Sequence, residues 1–96
     1  MAEKALLIDK FRGQNFPAWK FKMKMVLIEN DLWCFVDGSE RLSETANSTA
    51  RKEFRRRANK ALATIVLGLY DNQLFLVKSK DLDSAAEAWK NLENHY

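Results

Sequence analysis

Side chains able to do chemistry are sparse in this 96-residue chain. Cys34 is the single cysteine and His95 the single histidine. A nucleophile needs a base within hydrogen-bond reach, and a metal needs three or four N, O or S ligands. Neither residue has such company: Cys34 sits between Trp33 and Phe35, a setting that predicts a buried, inert thiol, and His95 stands beside Tyr96 without Cys, Asp or Glu at ligand spacing. Asp81 and Asp83 flank Leu82 and form a candidate carboxylate pair, but Asp83 more simply supplies negative charge to a helix N-terminus. The glycines are isolated, so there is no phosphate-cradling loop. The expectation is a protein that is not an enzyme and takes no cofactor and no metal.

The denser constellation is Arg51-Lys52-Glu53-Phe54-Arg55-Arg56-Arg57, followed by Lys60. Lys52, Arg56 and Lys60 recur at four-residue steps and line one side of a helix. Such a row can neutralise phosphates in a salt-dependent way, but no aromatic residues interleave with it to stack bases. Weak nonspecific nucleic-acid binding and charge steering toward an acidic protein surface are the two chemistries it offers.

The element that must carry the main core is Phe16 to Asn30. Phe16, Trp19, Met23, Val26 and Leu27 fall at helical spacing on one apolar face. Pro17 suits the first turn, and Asn15 is placed to cap it. Phe21, Met25 and Ile28 lie off that face at steps of four and three, so the helix is apolar on a second side. That second side is a candidate contact surface. A short helical turn should follow, laying Trp33 and Val36 on the core and stopping at Asp37-Gly38.

Before this helix, residues 1–14 read as an arm that drops Leu7, Ile8 or Phe11 onto the core, with Gly13 as the turn. Beyond it, a polar loop leads to a second long helix that begins between Ser43 and Ser48. Its core residues are Phe54, Ala58, Ala61, Leu62 and Ile65, with Leu69 continuing the pattern and Gly68 ending the helix. Asp71 can cap a short helix through Val77, and Lys78 to Asp83 is a charged connector. Ser84-Ala85-Ala86-Glu87 has the form of a capping box opening a last helix, whose core face holds Trp89, Leu92 and Tyr96. The tryptophans are each placed on an apolar helix face, which predicts core rather than pocket. The fold class is all-α, with about five helical pieces around one core.

The totals fit one small lobe. A hydrophobic content of 47% opposes disorder, and a lone cysteine fits a reducing, cytoplasmic setting without internal disulfides. No apolar run approaches the ~18 residues of a membrane span. Residues 1–67 carry a net charge of +5 and residues 68–96 a net −2, which permits head-to-tail attraction between copies. The last helix runs to Tyr96 with no glycine or polar tail after it, giving the expectation that the chain is part of a longer protein.

The order of these signals resembles the Gag polyprotein of copia-type LTR retrotransposons, in the N-terminal part of its capsid region. The residues that carry the likeness are Phe11-Arg12-Gly13-Gln14-Asn15-Phe16, Trp19-Lys20-Phe21-Lys22-Met23, Leu32-Trp33 and Val36-Asp37-Gly38. Ala58-Asn59-Lys60-Ala61-Leu62-Ala63-Thr64-Ile65 and the run from Ala85 to Tyr96 complete it. The resemblance implies a small orthogonal helical bundle, like a retroviral capsid N-terminal lobe, that self-associates into a shell packaging element RNA. It does not extend to a second capsid lobe or a Cys/His zinc knuckle. The expectation is a single assembly lobe using Phe21, Met25 and Ile28 for apolar contact and Lys52, Arg56 and Lys60 for steering, its partners being itself or other Gag lobes. The alternative is a shortened, domesticated lobe acting as an adaptor that holds a short peptide between its helices, or that interferes with full-length Gag.

Overall fold

The computed structural model describes residues 8–77 and 84–96. Leu7, the Lys78 to Asp83 connector and the Asp81/Asp83 pair lie outside the described residues. The chain is all-α: α1 spans Phe16–Glu29, α2 Cys34–Asp37, α3 Ser48–Leu67, a 3₁₀ helix Asp71–Leu76 and α4 Ala85–His95.

Helix starts and stops follow local chemistry, with differences at three caps. Pro17 occupies the first turn of α1, but Asn15 makes no side-chain cap bond and adopts φ 56° instead, a left-handed conformation that asparagine tolerates better than most residues. The cap of α3 is Asn47 rather than a serine, its Oδ1 accepting from the Ala50 amide at 2.8 Å. Asp71 heads the 3₁₀ helix without a side-chain cap bond. At α4 the Ser84 hydroxyl accepts from the Glu87 amide at 3.2 Å, one arm of the capping box.

The core is continuous across these elements. From α1 come Trp19, Met23 and Leu27, from α3 Ala61 and Ile65, and from α4 Ala85, Ala88, Trp89 and Leu92. Phe16, Val26, Trp33, Val36 and Leu62 are half-buried against it. Phe54 and Ala58 are only half-buried, because the enclosed part of α3 is its second half; the Phe54 ring meets Phe35 with centroids 5.2 Å apart. Tyr96 departs from the expected core position: it is 43% exposed, its ring stacked on Phe16 while its hydroxyl donates to Gln73 Oε1. A phenol at the rim keeps both its apolar contact and its polar partner.

Two buried residues owe their place to backbone turns. Asp31, at φ 58°, ends α1 and swings Leu32 inward to near-complete burial. Phe11, also buried, is stitched to the end of α3 by a parallel bridge to Leu69: its amide donates to the Gly68 carbonyl, and its own carbonyl accepts from the Tyr70 amide, each at 2.9 Å. Buried Gln73 holds the same N-terminal segment through the Arg12 carbonyl at 3.3 Å. Gly13, at φ 108°, faces Gln73 so closely that a Cβ would lie 2.9 Å from its Nε2.

Candidate interaction surface

α1 is the element with two apolar sides. Its inner side is spent on Trp19, Met23 and Leu27; its outer side presents Phe21, Met25 and Ile28 with exposures of 64%, 41% and 45%. On a helical projection these three lie within an arc of about 60°. The run Phe21-Lys22-Met23-Lys24-Met25 explains the arrangement, since apolar residues two apart in a helix point to opposite sides. Three exposed apolar side chains in one stripe are a surface that water solvates poorly.

The basic residues of α3 divide into two groups. Arg51, Arg56 and Arg57 are occupied within the lobe. Arg51 holds the preceding loop through the Ala46 and Glu44 carbonyls at 3.1 and 3.2 Å. Arg56 pairs with Glu53 through Nε contacts of 3.0 and 3.2 Å. That hydrogen bond holds the Glu53 carboxyl below its ordinary range and raises Arg56 above its own. Arg57 reaches across to the segment after α1: its Nη1 pairs with Glu40, its Nη2 donates to the Asp31 carbonyl at 2.6 Å, and its guanidinium lies 5.0 Å from the Phe35 ring centroid. The Glu40 hydrogen bond is the main cause of its raised pKa. Lys52, Arg55 and Lys60 are exposed. Of the expected steering row, then, Lys52 and Lys60 present their charge openly, whereas Arg56 shares its charge with Glu53.

Arg57 is the residue that sequence reasoning missed. In the sequence it is one more arginine of a basic run; in the fold it ties α3 to the left-handed turn at Asp31. It also lines a shallow hollow of about 650 Å³ with Ile28, Trp33, Cys34 and Asp37, whose floor therefore joins the end of the α1 stripe to α3. Lys52, Arg56 and Lys60 do not line it. Hydrogen bonds from Ser39 lower the Asp37 pKa. Cys34 is half-buried rather than enclosed, with Sγ 3.6 Å from the Asp31 carbonyl and 3.7 Å from Arg57.

A second hollow of about 620 Å³ runs between the N-terminal segment and the first half of α1, lined among others by Lys10, Phe11, Gln14, Trp19 and Lys22. His95 is exposed, with its ring edge-on to Phe75 at 5.6 Å and to Tyr96 at 4.7 Å between centroids. Among the described residues no three His, Cys, Asp or Glu side chains gather as a metal site, and no helix is long and apolar enough to cross a membrane. The tryptophans line up through the core: Trp19 stacks on Trp89 at 6.1 Å and Trp33 meets Trp89 edge-on at 5.2 Å. Trp33 keeps one face outward, where the Lys24 ammonium sits 4.9 Å from the ring centroid.

Compared with known families, residues 23–96 match the model for gag-polypeptide of LTR copia-type. The match opens in the middle of α1, so Met25 and Ile28 fall inside it and Phe21 just before it. No curated protein and no solved structure matches the chain.

Proposed function

Because the chain belongs to the gag-polypeptide family of LTR copia-type elements, a family with a Gag-type structural role, we propose that it is a non-enzymatic assembly lobe of a retrotransposon-type capsid, associating with copies of itself or with other Gag lobes. The observation that carries this reading is the stripe Phe21, Met25 and Ile28, exposed on the same helix whose inner side anchors the core. A stripe on the outside of a core helix is held rigidly, so binding through it costs little ordering entropy. Each contact is weak, and order in a shell comes from repetition. Lys52 and Lys60 steer approach toward acidic surfaces, with a salt dependence that follows from their exposure. The same charges support weak nonspecific nucleic-acid binding, at a strength limited by the engagement of Arg51, Arg56 and Arg57 within the lobe.

A second reading, a domesticated adaptor that holds a peptide, is favoured by the hollow beside the N-terminal segment, which sets cationic Lys10 and Lys22 beside half-buried Ile8 and Ala18. The two readings separate on one substitution. Phe21→Glu places a charge in the stripe and touches none of the core, so it should weaken self-association by at least about tenfold while leaving the melting temperature within about 4 °C of the parent. Sedimentation velocity and thermal melts of the two proteins check this. Unchanged association would remove the stripe from the account, and loss of folding would make Phe21 a core residue.

A further inference from the structure

We propose that the hollow between the N-terminal segment and α1 is a docking site for a short acidic peptide of a partner protein. The proposal rests on the adaptor reading and names the class of peptide; it does not depend on association through the α1 stripe. At about 620 Å³ the hollow lies within the ~300–1,000 Å³ range of ligand sites. Three cations, Lys10, Arg12 and Lys22, and one carboxylate, Asp9, line it, so its local charge is positive.

The state of those cations decides what the hollow can take. Arg12 is held over the Tyr70 ring, 4.0 Å from its centroid. Lys10 on the N-terminal segment and Lys22 on α1 are exposed and form no ion pair with a described residue. Lys20, two residues before Lys22, is by contrast bound to Glu93 at 2.6 Å, and Arg56 and Arg57 are bound to Glu53 and Glu40. Each of the two walls therefore carries an ammonium group with no counter-charge of its own. The side-chain amides of Gln14 and Asn15 and the main-chain N–H and C=O of Lys10 belong to the same walls, and they too have no hydrogen-bond partner among the described residues. Unpaired ammonium groups suit carboxylates, and free amide and carbonyl groups suit a peptide main chain. Half-buried Ile8 and Ala18 add an apolar contact for a side chain next to the acidic ones.

A nucleic-acid strand fits less well. Single strands are held by stacking bases on aromatic faces, and the rings lining the hollow, Phe11 and Trp19, are buried, with exposures of 2% and 6%. Asp9 would also stand against a strand that carries a negative charge on every phosphate.

Two synthetic hexapeptides blocked at both ends test the proposal. One alternates glutamate with leucine, and its twin has glutamine for every glutamate. In ¹⁵N-resolved NMR titrations of the full chain, the acidic peptide should shift the amides of Lys10, Gln14, Asn15 and Lys22. It should bind about tenfold more tightly than its twin at low salt and lose most of that advantage at ~0.5 M salt. Lys10→Glu and Lys22→Glu should each weaken the acidic peptide about fivefold, whereas Lys60→Glu on α3 should leave its affinity unchanged. All three lysines are exposed, so the melting curves of the variants should coincide with that of the parent. Equal binding of the two peptides in the hollow overturns the acidic preference and leaves the adaptor reading standing. Shifts confined to the Lys52, Arg55 and Lys60 side of α3 overturn the hollow as the site. Absence of any shift with either peptide at millimolar concentration overturns both the proposal and the adaptor reading.

Discussion

Replacing Trp19 with alanine should remove about 3–5 kcal/mol of stability, a large share of the roughly 5–15 kcal/mol that a domain keeps in total. The side chain is nearly enclosed, and its ring meets Phe11, Phe16 and Trp89 with centroids 5.3, 5.9 and 6.1 Å away. It therefore binds the N-terminal segment, α1 and α4 into one cluster. Its indole Nε1 also donates to the Gly68 carbonyl at 3.0 Å, which fixes the end of α3. Thermal melts followed by far-ultraviolet circular dichroism should show a fall of about 12 °C or more, taking about 4–8 °C per kcal/mol for a chain of this size. Trp19→Phe keeps a six-membered aromatic ring in the cluster and loses the pyrrole half of the indole with its donor. Gly68 still accepts from the Phe11 amide, so no carbonyl is orphaned and the loss should be smaller, about 1–2 kcal/mol. Equal losses for the two variants would contradict a cluster held chiefly by ring packing.

Gly68→Ala should cost about 1–3 kcal/mol even though alanine is the better helix residue. Gly68 lies at φ −84°, ψ 1°, so its need for glycine comes from space rather than from backbone conformation. A Cβ there would stand 2.2 Å from the Met23 Cε. A methionine end is flexible, but Met23 is wholly buried and can turn only by displacing its neighbours. That cost outweighs the ~0.4–1 kcal/mol gained by stiffening the unfolded chain. The clash is with the last atom of Met23, so Met23→Leu, a shorter side chain of similar volume, should absorb most of the penalty. The double-mutant cycle from denaturant unfolding should then show clear coupling between the two sites. Identical costs in the Met and Leu backgrounds would place the strain elsewhere.

Both predictions concern the junction of Phe11, Gly68 and Trp19, which also shows what a sequence can and cannot carry. The inner side of α1 is readable because Trp19, Met23 and Leu27 repeat at three- and four-residue steps, and burial against a core is what selects such steps. The end of α3 at Gly68 and the opening of α4 at Ser84 are readable for a similar reason, since both depend on groups within one turn of the chain. The bridge from Phe11 to Leu69 is not, because it joins backbone groups far apart in sequence and leaves no period behind. The left-handed turn at Asp31, which buries Leu32, is chosen by the packing of α2 rather than by a glycine.

The candidate surface divides in the same way. The offset of Phe21, Met25 and Ile28 from the core face is local geometry and can be counted from the sequence. Their exposure depends on where every other helix goes, so only the fold reveals it. Arg55, Arg56 and Arg57 look alike in a basic run, yet Arg57 alone turns back to Glu40 and the Asp31 carbonyl. Distinguishing them requires knowing that α3 passes beside the end of α1.

Self-association of the lobe is the central claim, and sedimentation velocity from micromolar to near-millimolar protein, at low and at high salt, tests it most directly. The account predicts a weight-average sedimentation coefficient that climbs with concentration. The climb should be reduced by salt, because exposed charges steer the contact, and should not vanish, because the contact itself is apolar. A single monomeric value across the whole range at both salt concentrations would contradict it.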